Sequence, residues 1–422
     1  MDMPTPVTDM PASARVADHS AAQPRMETTS RPTPIEQIVL VFQGGGALGA
    51  YQAGVYQGLT ENGIEPDWVI GTSIGAINAT LIAGNEPGRR VPRLQDFWER
   101  LGHRSFYDQI WTPAFLGGAF ANLGTIMQGV PGFFEVNPQA PWGIHMPVGV
   151  DRAAFYSTVP LRQTLCELVD FEHLNNKATR LTVGAVNVRT GELHYFDTRD
   201  MTLGPEHVMA SGALPPGFPA VRIDGAAYWD GGLYSNTPLE VVLDDNPRRS
   251  SLIVSVNMWQ PQGSEPETIW QVLGRQKDIQ YASRAKSHIA RQKQIHQLRH
   301  VIRELGKRLN GQDRNDPAVR ELTAYGCHTT MHLVRLLSPR LDSEDHTKDI
   351  DFSRAGITTR WRAGYEHAQR AIAGKPWECD VDALTGIVVH EFLEEPVSET
   401  RAATPDSRGA SNQKPIGISA AH

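Results

Sequence analysis

Three short stretches carry residues whose types and spacing can do chemistry. Ser73 sits in Gly71-Thr72-Ser73-Ile74-Gly75, between the strand-like run Asp67-Trp68-Val69-Ile70 and a helix-like run from Ala76 to Ala83. An alcohol is a poor nucleophile, so it needs exposure, a base and a place for negative charge. A tight strand-to-helix turn throws the side chain outward, and small residues at Gly71 and Gly75 relieve crowding there. The helix that follows points its positive end near Ser73, where negative charge would develop. The same five residues also suit a glycine-rich connector with no chemistry.

Gly44-Gly45-Gly46 forms the second stretch, after the apolar run Ile38-Val39-Leu40-Val41-Phe42. Three glycines let backbone N–H groups approach a ligand. Such donors can hold the oxyanion of a tetrahedral intermediate. A phosphate cradle is the competing reading, but no Lys-Ser or Lys-Thr follows the glycines. A dinucleotide fingerprint fits only as Gly44-Gly45-Gly46-Ala47-Leu48-Gly49. Close packing of a helix on a strand explains the glycines equally well. The third stretch is Asp230-Gly231-Gly232, preceded by Tyr228-Trp229. An aspartate before two glycines ordinarily reads as a turn.

The elements that position these groups follow from the surrounding pattern. Strand, glycine turn and helix occur twice in succession, which predicts βαβ units and a mainly parallel sheet. Leu181 to Val188 and Leu193 to Phe196 read as a strand pair around Thr190-Gly191, and Leu252 to Val256 as another buried strand. From about Glu265 the character changes. A long helix is expected over residues 275–308, with Ile295, Leu298, Ile302, Leu305 and Leu309 on one face, and more helix over 354–373. The predicted organisation is an N-terminal tail over 1–35, a catalytic domain over 36–260, a mainly helical extension over 261–395 and a tail over 396–422. Both tails are rich in small and polar residues and read as disordered.

The 422 residues carry a formal net charge of -7, which does not favour a nucleic-acid partner. Three scattered cysteines, Cys166, Cys327 and Cys379, indicate neither a disulfide framework nor a zinc motif. No run of 18 apolar residues is present, and the N-terminus has no secretory signal. The expected location is cytoplasmic, with peripheral membrane contact left open.

Taken in order, GGGALGAYQAG, GTSIGAINA and DGGLYSNTP closely resemble bacterial patatin-like phospholipases, as does ASGALPPGFPAVRIDGAAYWDGG. The resemblance covers about residues 36–260. Residues 348–365, KDIDFSRAGITTRWRAGY, resemble an extension carried by one bacterial subgroup. The resemblance implies a three-layer α/β/α sandwich with a mostly parallel central sheet and no metal or organic cofactor. It implies a Ser–Asp dyad, with Ser73 as nucleophile and Asp230 as base. The amides of Gly44, Gly45 and Gly46 map to the oxyanion loop, and Gly71, Gly75, Gly231 and Gly232 support the motifs. The expected activity is lipid acyl-ester hydrolysis through an acyl-enzyme. A short-chain carboxylesterase or polyester-oligomer hydrolase with the same dyad is an alternative, and a non-catalytic lipid-binding or regulatory module is another. Leu48 stands where many members carry Arg or Lys, which turns the expectation away from anionic headgroups and toward neutral esters.

Three features lie outside these motifs. His328, His332 and His390 are placed downstream of Ser73, in an order that also permits a Ser–His–acid hydrolase. The aromatic-rich residues 105–134 suit either a lid or a packed insertion. The helix over 275–308 holds ten Lys or Arg against two acids. It suits a packed helix with a solvated basic face, an anionic membrane surface or a partner. Oligomeric state is not encoded in these patterns.

Overall fold

The computed structural model describes residues 35–102, 128–340 and 346–392. The tails, and residues 105–127 of the aromatic-rich segment, lie outside them. Nine strands form one sheet: β1 (Gln37–Phe42), β2 (Trp68–Gly71), β3 (Arg180–Asn187), β4 (Leu193–Asp197), β5 (Val221–Ile223), β6 (Ala226–Asp230), β7 (Ser251–Asn257), β8 (Met331–Leu337) and β9 (Ile387–Phe392). Their order is β9-β8-β7-β1-β2-β3-β6-β5, with β4 paired to β3. Pairs from β9 through to β3 are parallel, and those involving β4, β5 and β6 are antiparallel.

The central strands are buried on both faces, so they read as apolar runs rather than alternating ones. Along β1, Leu40 and Phe42 face one core, and Val39 and Val41 face the other. The first core is covered by α1 (Ala50–Thr60), α2 (Ile74–Ala83), α3 (Pro87–Leu101) and α4 (Pro205–Ser211). The second is closed by α5 (Leu239–Leu243) and by Ile289 of α6 (Ile269–Arg308). This is the three-layer α/β/α arrangement with a mostly parallel sheet.

The C-terminal residues are continuous with that sheet. β8 pairs with β7 from Met331↔Ser251 to Leu337↔Asn257, and β9 extends the edge. Between them α7 (Arg354–Gly374) crosses over and lies along α1. The two helices approach so closely that a side chain at Gly54 or Gly364 would run into the other helix's backbone.

Helix α6 docks through a different face from the apolar one in its sequence. Leu298 and Leu305 are exposed, while Gln292, His296 and His300 are buried. Gln292 donates to Asp244 at 3.0 Å, and His296 and His300 bond to carbonyls of Leu243, Ala383 and Thr329. These polar contacts and the buried Ile289 together hold the helix against the core. No helix among the described residues is long and apolar enough to cross a membrane.

Candidate functional site

Ser73 closes the turn between β2 and α2 with φ 57° and ψ −127°. Non-glycine residues rarely occupy this region, and they persist there only when the surroundings fix them. Here Ser211 supplies fixing contacts through both its carbonyl and its hydroxyl, the latter accepting the Ser73 N–H at 3.2 Å. The Ser73 N–H donates to the Ser211 carbonyl at 3.1 Å, at the end of α4. Gly75 packs against β1: a Cβ there would lie 2.5 Å from the Phe42 carbonyl oxygen and 2.9 Å from that of Gln43. A Cβ at Gly71 would strike the Gly75 carbonyl in turn. Gly75→Ala is therefore expected to destabilise the fold by about 3 kcal/mol, measured as a lower urea midpoint with unchanged slope.

Asp230 ends β6 and is almost fully buried, at 1% exposure. Its carboxylate accepts the Gly232 N–H at 2.7 Å, and the Ser73 side chain lies beside it. Burial disfavours its charge and pushes its pKa up to about 7, against the lowering effect of these two neighbours. Gly231 and Gly232 make the close approach possible. A Cβ at Gly231 would meet the Gly184 carbonyl, and one at Gly232 would lie 2.9 Å from Asn236 Oδ1.

The glycine loop after β1 divides its roles. Gly44 donates its N–H to the Asn236 carbonyl at 3.1 Å, so that amide is already engaged. Its own carbonyl accepts from Asn236 Nδ2 at 3.1 Å and from Trp259 Nε1 at 2.7 Å. Gly44 thus anchors the loop, which corrects the expectation that all three amides are open. The amides of Gly45 and Gly46 have no acceptor among the described hydrogen bonds. Gln43 adds a second anchor, donating to Thr237 at 2.7 Å and accepting the Met258 N–H. Gln43, Asn236 and Trp259 are the supporting residues that sequence reasoning missed. Asn236 had a signal, since it lies within DGGLYSNTP.

Above this floor opens a cavity of about 290 Å³, reached by Ser73, Asp230 and Gly44 to Gly46. Its walls are apolar, with Phe133, Phe134, Tyr156, Phe218 and Phe352 in mutual edge or tilted ring contact. No Lys, Arg or His lines it among the described residues. Leu48 does not line it either: it is 1% exposed and belongs to the core. His332 and His390 bond to each other at 3.2 Å outside the cavity, and His328 is exposed.

The family model described as patatin-like phospholipase matches residues 40–243, and that described as patatin phospholipase matches residues 279–383. The chain belongs to the patatin-like phospholipase family. Among curated relatives, protein M110.7 of Caenorhabditis elegans, named for its patatin-like phospholipase domain, is 46% identical over 61 residues. Those residues are 14% of this chain and 6% of that protein. The triacylglycerol lipase SDP1L of Arabidopsis thaliana is 32% identical over 92 residues, 22% of this chain and 10% of its own. This chain therefore spans a tenth or less of either relative. Among solved structures, VipD from Legionella pneumophila is 16% identical with a TM-score of 0.37, covering 82% of this chain and 68% of its own. The type III effector ExoU is 15% identical with a TM-score of 0.31, covering 83% and 54%.

For a patatin-like phospholipase, the cavity has an unexpected contributor. Tyr281, Asp349, Ile350 and Phe352, all from the C-terminal extension, complete its lining. The Asp349 carbonyl accepts the Ala47 N–H at 2.8 Å and so sits directly on the glycine loop. Lys277 pairs with the Asp349 carboxylate at 2.7 Å, and Lys348 pairs with Asp278 at 2.9 Å. The second pair is buried on both sides, where removal of one partner would leave an uncompensated charge.

Proposed function

We propose that this protein hydrolyses lipid carboxylic esters through an acyl-serine formed on Ser73, with Asp230 as the base. One observation carries the reading: a strained serine stands beside a buried, charge-averse carboxylate at the floor of an apolar cavity, with two open amides next to it. A base with a pKa near the working pH combines ionisation with a useful proton affinity. An ordinary aspartate would be a far weaker base.

The Ser73 Oγ attacks the ester carbonyl carbon as its proton passes to Asp230. The Gly45 and Gly46 amides hold the resulting oxyanion. The intermediate collapses as the C–O bond to the alcohol breaks, and that alcohol leaves with the proton from Asp230. Asp230 then takes a proton from water, which attacks the acyl carbon. Release of the acid returns the proton to Ser73.

The aromatic walls favour an acyl chain as the recognised part of the substrate. The absence of a lining cation among the described residues gives no basis for selecting an anionic headgroup. Leu48 is consistent with this only indirectly, because its side chain faces the core.

The test is hydrolysis of p-nitrophenyl esters of graded chain length, triacylglycerol and phospholipids, by wild type and Ser73→Ala. Rates rising with chain length, and lost by about 10³-fold or more in Ser73→Ala, support the lipid hydrolase. A preference confined to short chains favours a carboxylesterase. A well-folded wild type that turns over no ester and resists a fluorophosphonate probe overturns the reading and leaves a binding module.

A further inference from the structure

His332 and His390 stand outside the candidate catalytic cavity, and the proposed reaction uses neither. They occupy adjacent parallel strands, β8 and β9, in a register that sets His332 beside Val388 and Val334 beside His390. Two residues of the same parity share a face, so the imidazoles meet diagonally. Their rings lie within 4° of parallel, and His332 Nδ1 is 3.2 Å from His390 Nε2. The chain leaving α7 then returns over this face and places Cys379 beside them. One ligand atom from each of the three residues lies within 4.8 Å of the others.

We propose that His332, His390 and Cys379 form a binding site for a divalent transition-metal ion of the zinc type. Two imidazole nitrogens and a thiolate make a borderline-soft donor set, which suits zinc and disfavours calcium or magnesium. Tetrahedral zinc with metal–nitrogen bonds of about 2.0 Å separates two nitrogens by roughly 3.3 Å. The two histidines already stand at this spacing. Sulfur, with its longer bond, needs a separation of roughly 3.6 Å from each nitrogen. Cys379 is exposed, and a movement of about 1 Å in its side chain meets that distance. The thiol proton passes to solvent as the metal–sulfur bond forms. Water completes the fourth position, because the cysteine side of the cluster faces solvent.

The three ligands come from two strands and the loop between α7 and β9, which explains why no spacing motif marks them. A bound ion would tie the end of this crossover to the outer edge of the sheet.

The experiment uses full-length protein freed of metal with a chelator and titrated with Co²⁺ as a spectroscopic substitute. The expected result is one equivalent bound, with a near-ultraviolet thiolate-to-cobalt charge-transfer band that Zn²⁺ displaces. Cys379→Ser should abolish the band, and Cys379→Ser and His390→Gln should each weaken binding by at least about tenfold. Cys166→Ser should leave both unchanged. These positions are exposed or partly exposed, so folding survives where replacement of the buried His332 would put it at risk. Absence of the band in wild type, its survival in Cys379→Ser, or unaltered affinity in His390→Gln would each overturn the site. The pair would then be a simple imidazole–imidazole hydrogen bond.

Discussion

Asp230→Asn is expected to lower kcat for a chromogenic ester by about 10³-fold or more while making the protein more stable at pH 8. The two effects share a cause. The buried carboxylate is held up to about pKa 7 by loss of solvation. In wild type, kcat/KM should rise with pH through about 7 and then level off, because only the ionised form accepts the serine proton. The Asn variant should show a flat residual rate across the same range. The stability effect has the opposite dependence. Between the ordinary value of 3.8 and about 7, the folded chain keeps a proton that the unfolded chain has released. Stability therefore falls as pH rises through this window, and the loss is complete above it. Each pKa unit corresponds to about 1.4 kcal/mol, so roughly three units set an upper scale near 4 kcal/mol. Asparagine cannot ionise, yet its Oδ1 can still accept the Gly232 N–H. The variant should match wild type near pH 3 and exceed it at pH 8 in urea or thermal unfolding. A variant that keeps wild-type kcat would remove Asp230 from the mechanism. One that is slow but no more stable at pH 8 would show that the carboxylate is solvated in solution.

The parts of this molecule legible in its sequence are those built from neighbouring residues. The turn at Ser73 joins a strand and a helix within a few positions, so local pattern sufficed to place it. The same is true of the glycine loop after β1. What could not be read are the contacts made by residues distant in the chain. The Gly44 N–H donates to the carbonyl of Asn236, 192 positions away, which leaves two open donors where the motif suggests three. The apolar stripe on α6 was visible, but the helix also docks by Gln292, His296 and His300, whose partners are the Asp244 carboxylate and backbone carbonyls that no periodicity marks. Residues 261–395 read as a helical addition, yet two of their strands continue the sheet. Leu48 illustrates the converse: its type is plain in the sequence, but only packing shows that it faces the core.

Gly46→Ala is expected to lower kcat by 10²–10³-fold with little change in KM, and it tests the contact between the extension and the glycine loop. Gly46 has φ +57°, a conformation that costs alanine roughly 1 kcal/mol or more. Space is the larger obstacle, because a Cβ there would run into the Asp349 carbonyl. That carbonyl cannot simply withdraw. It accepts the Ala47 N–H, and its residue is held by Lys277, while the neighbouring Lys348 is bound to buried Asp278. The loop must therefore shift, carrying the Gly45 and Gly46 amides away from the position where an oxyanion would form. Ile74, Phe133 and Phe134 lie elsewhere in the cavity wall, so acyl-chain binding should survive. A drop in kcat at constant KM would identify lost transition-state stabilisation, since uniform binding loss would raise KM instead. Lys277→Met makes a useful contrast. Its ion pair is partly exposed, at 36% and 21% for the two side chains, and such pairs contribute little. A small effect from Lys277→Met beside a large one from Gly46→Ala would assign the loop's position to backbone contact with Asp349. If Gly46→Ala keeps kcat within about threefold, its amide is not an oxyanion donor, and the charge must be held by Gly45 and the N-terminus of α2 instead.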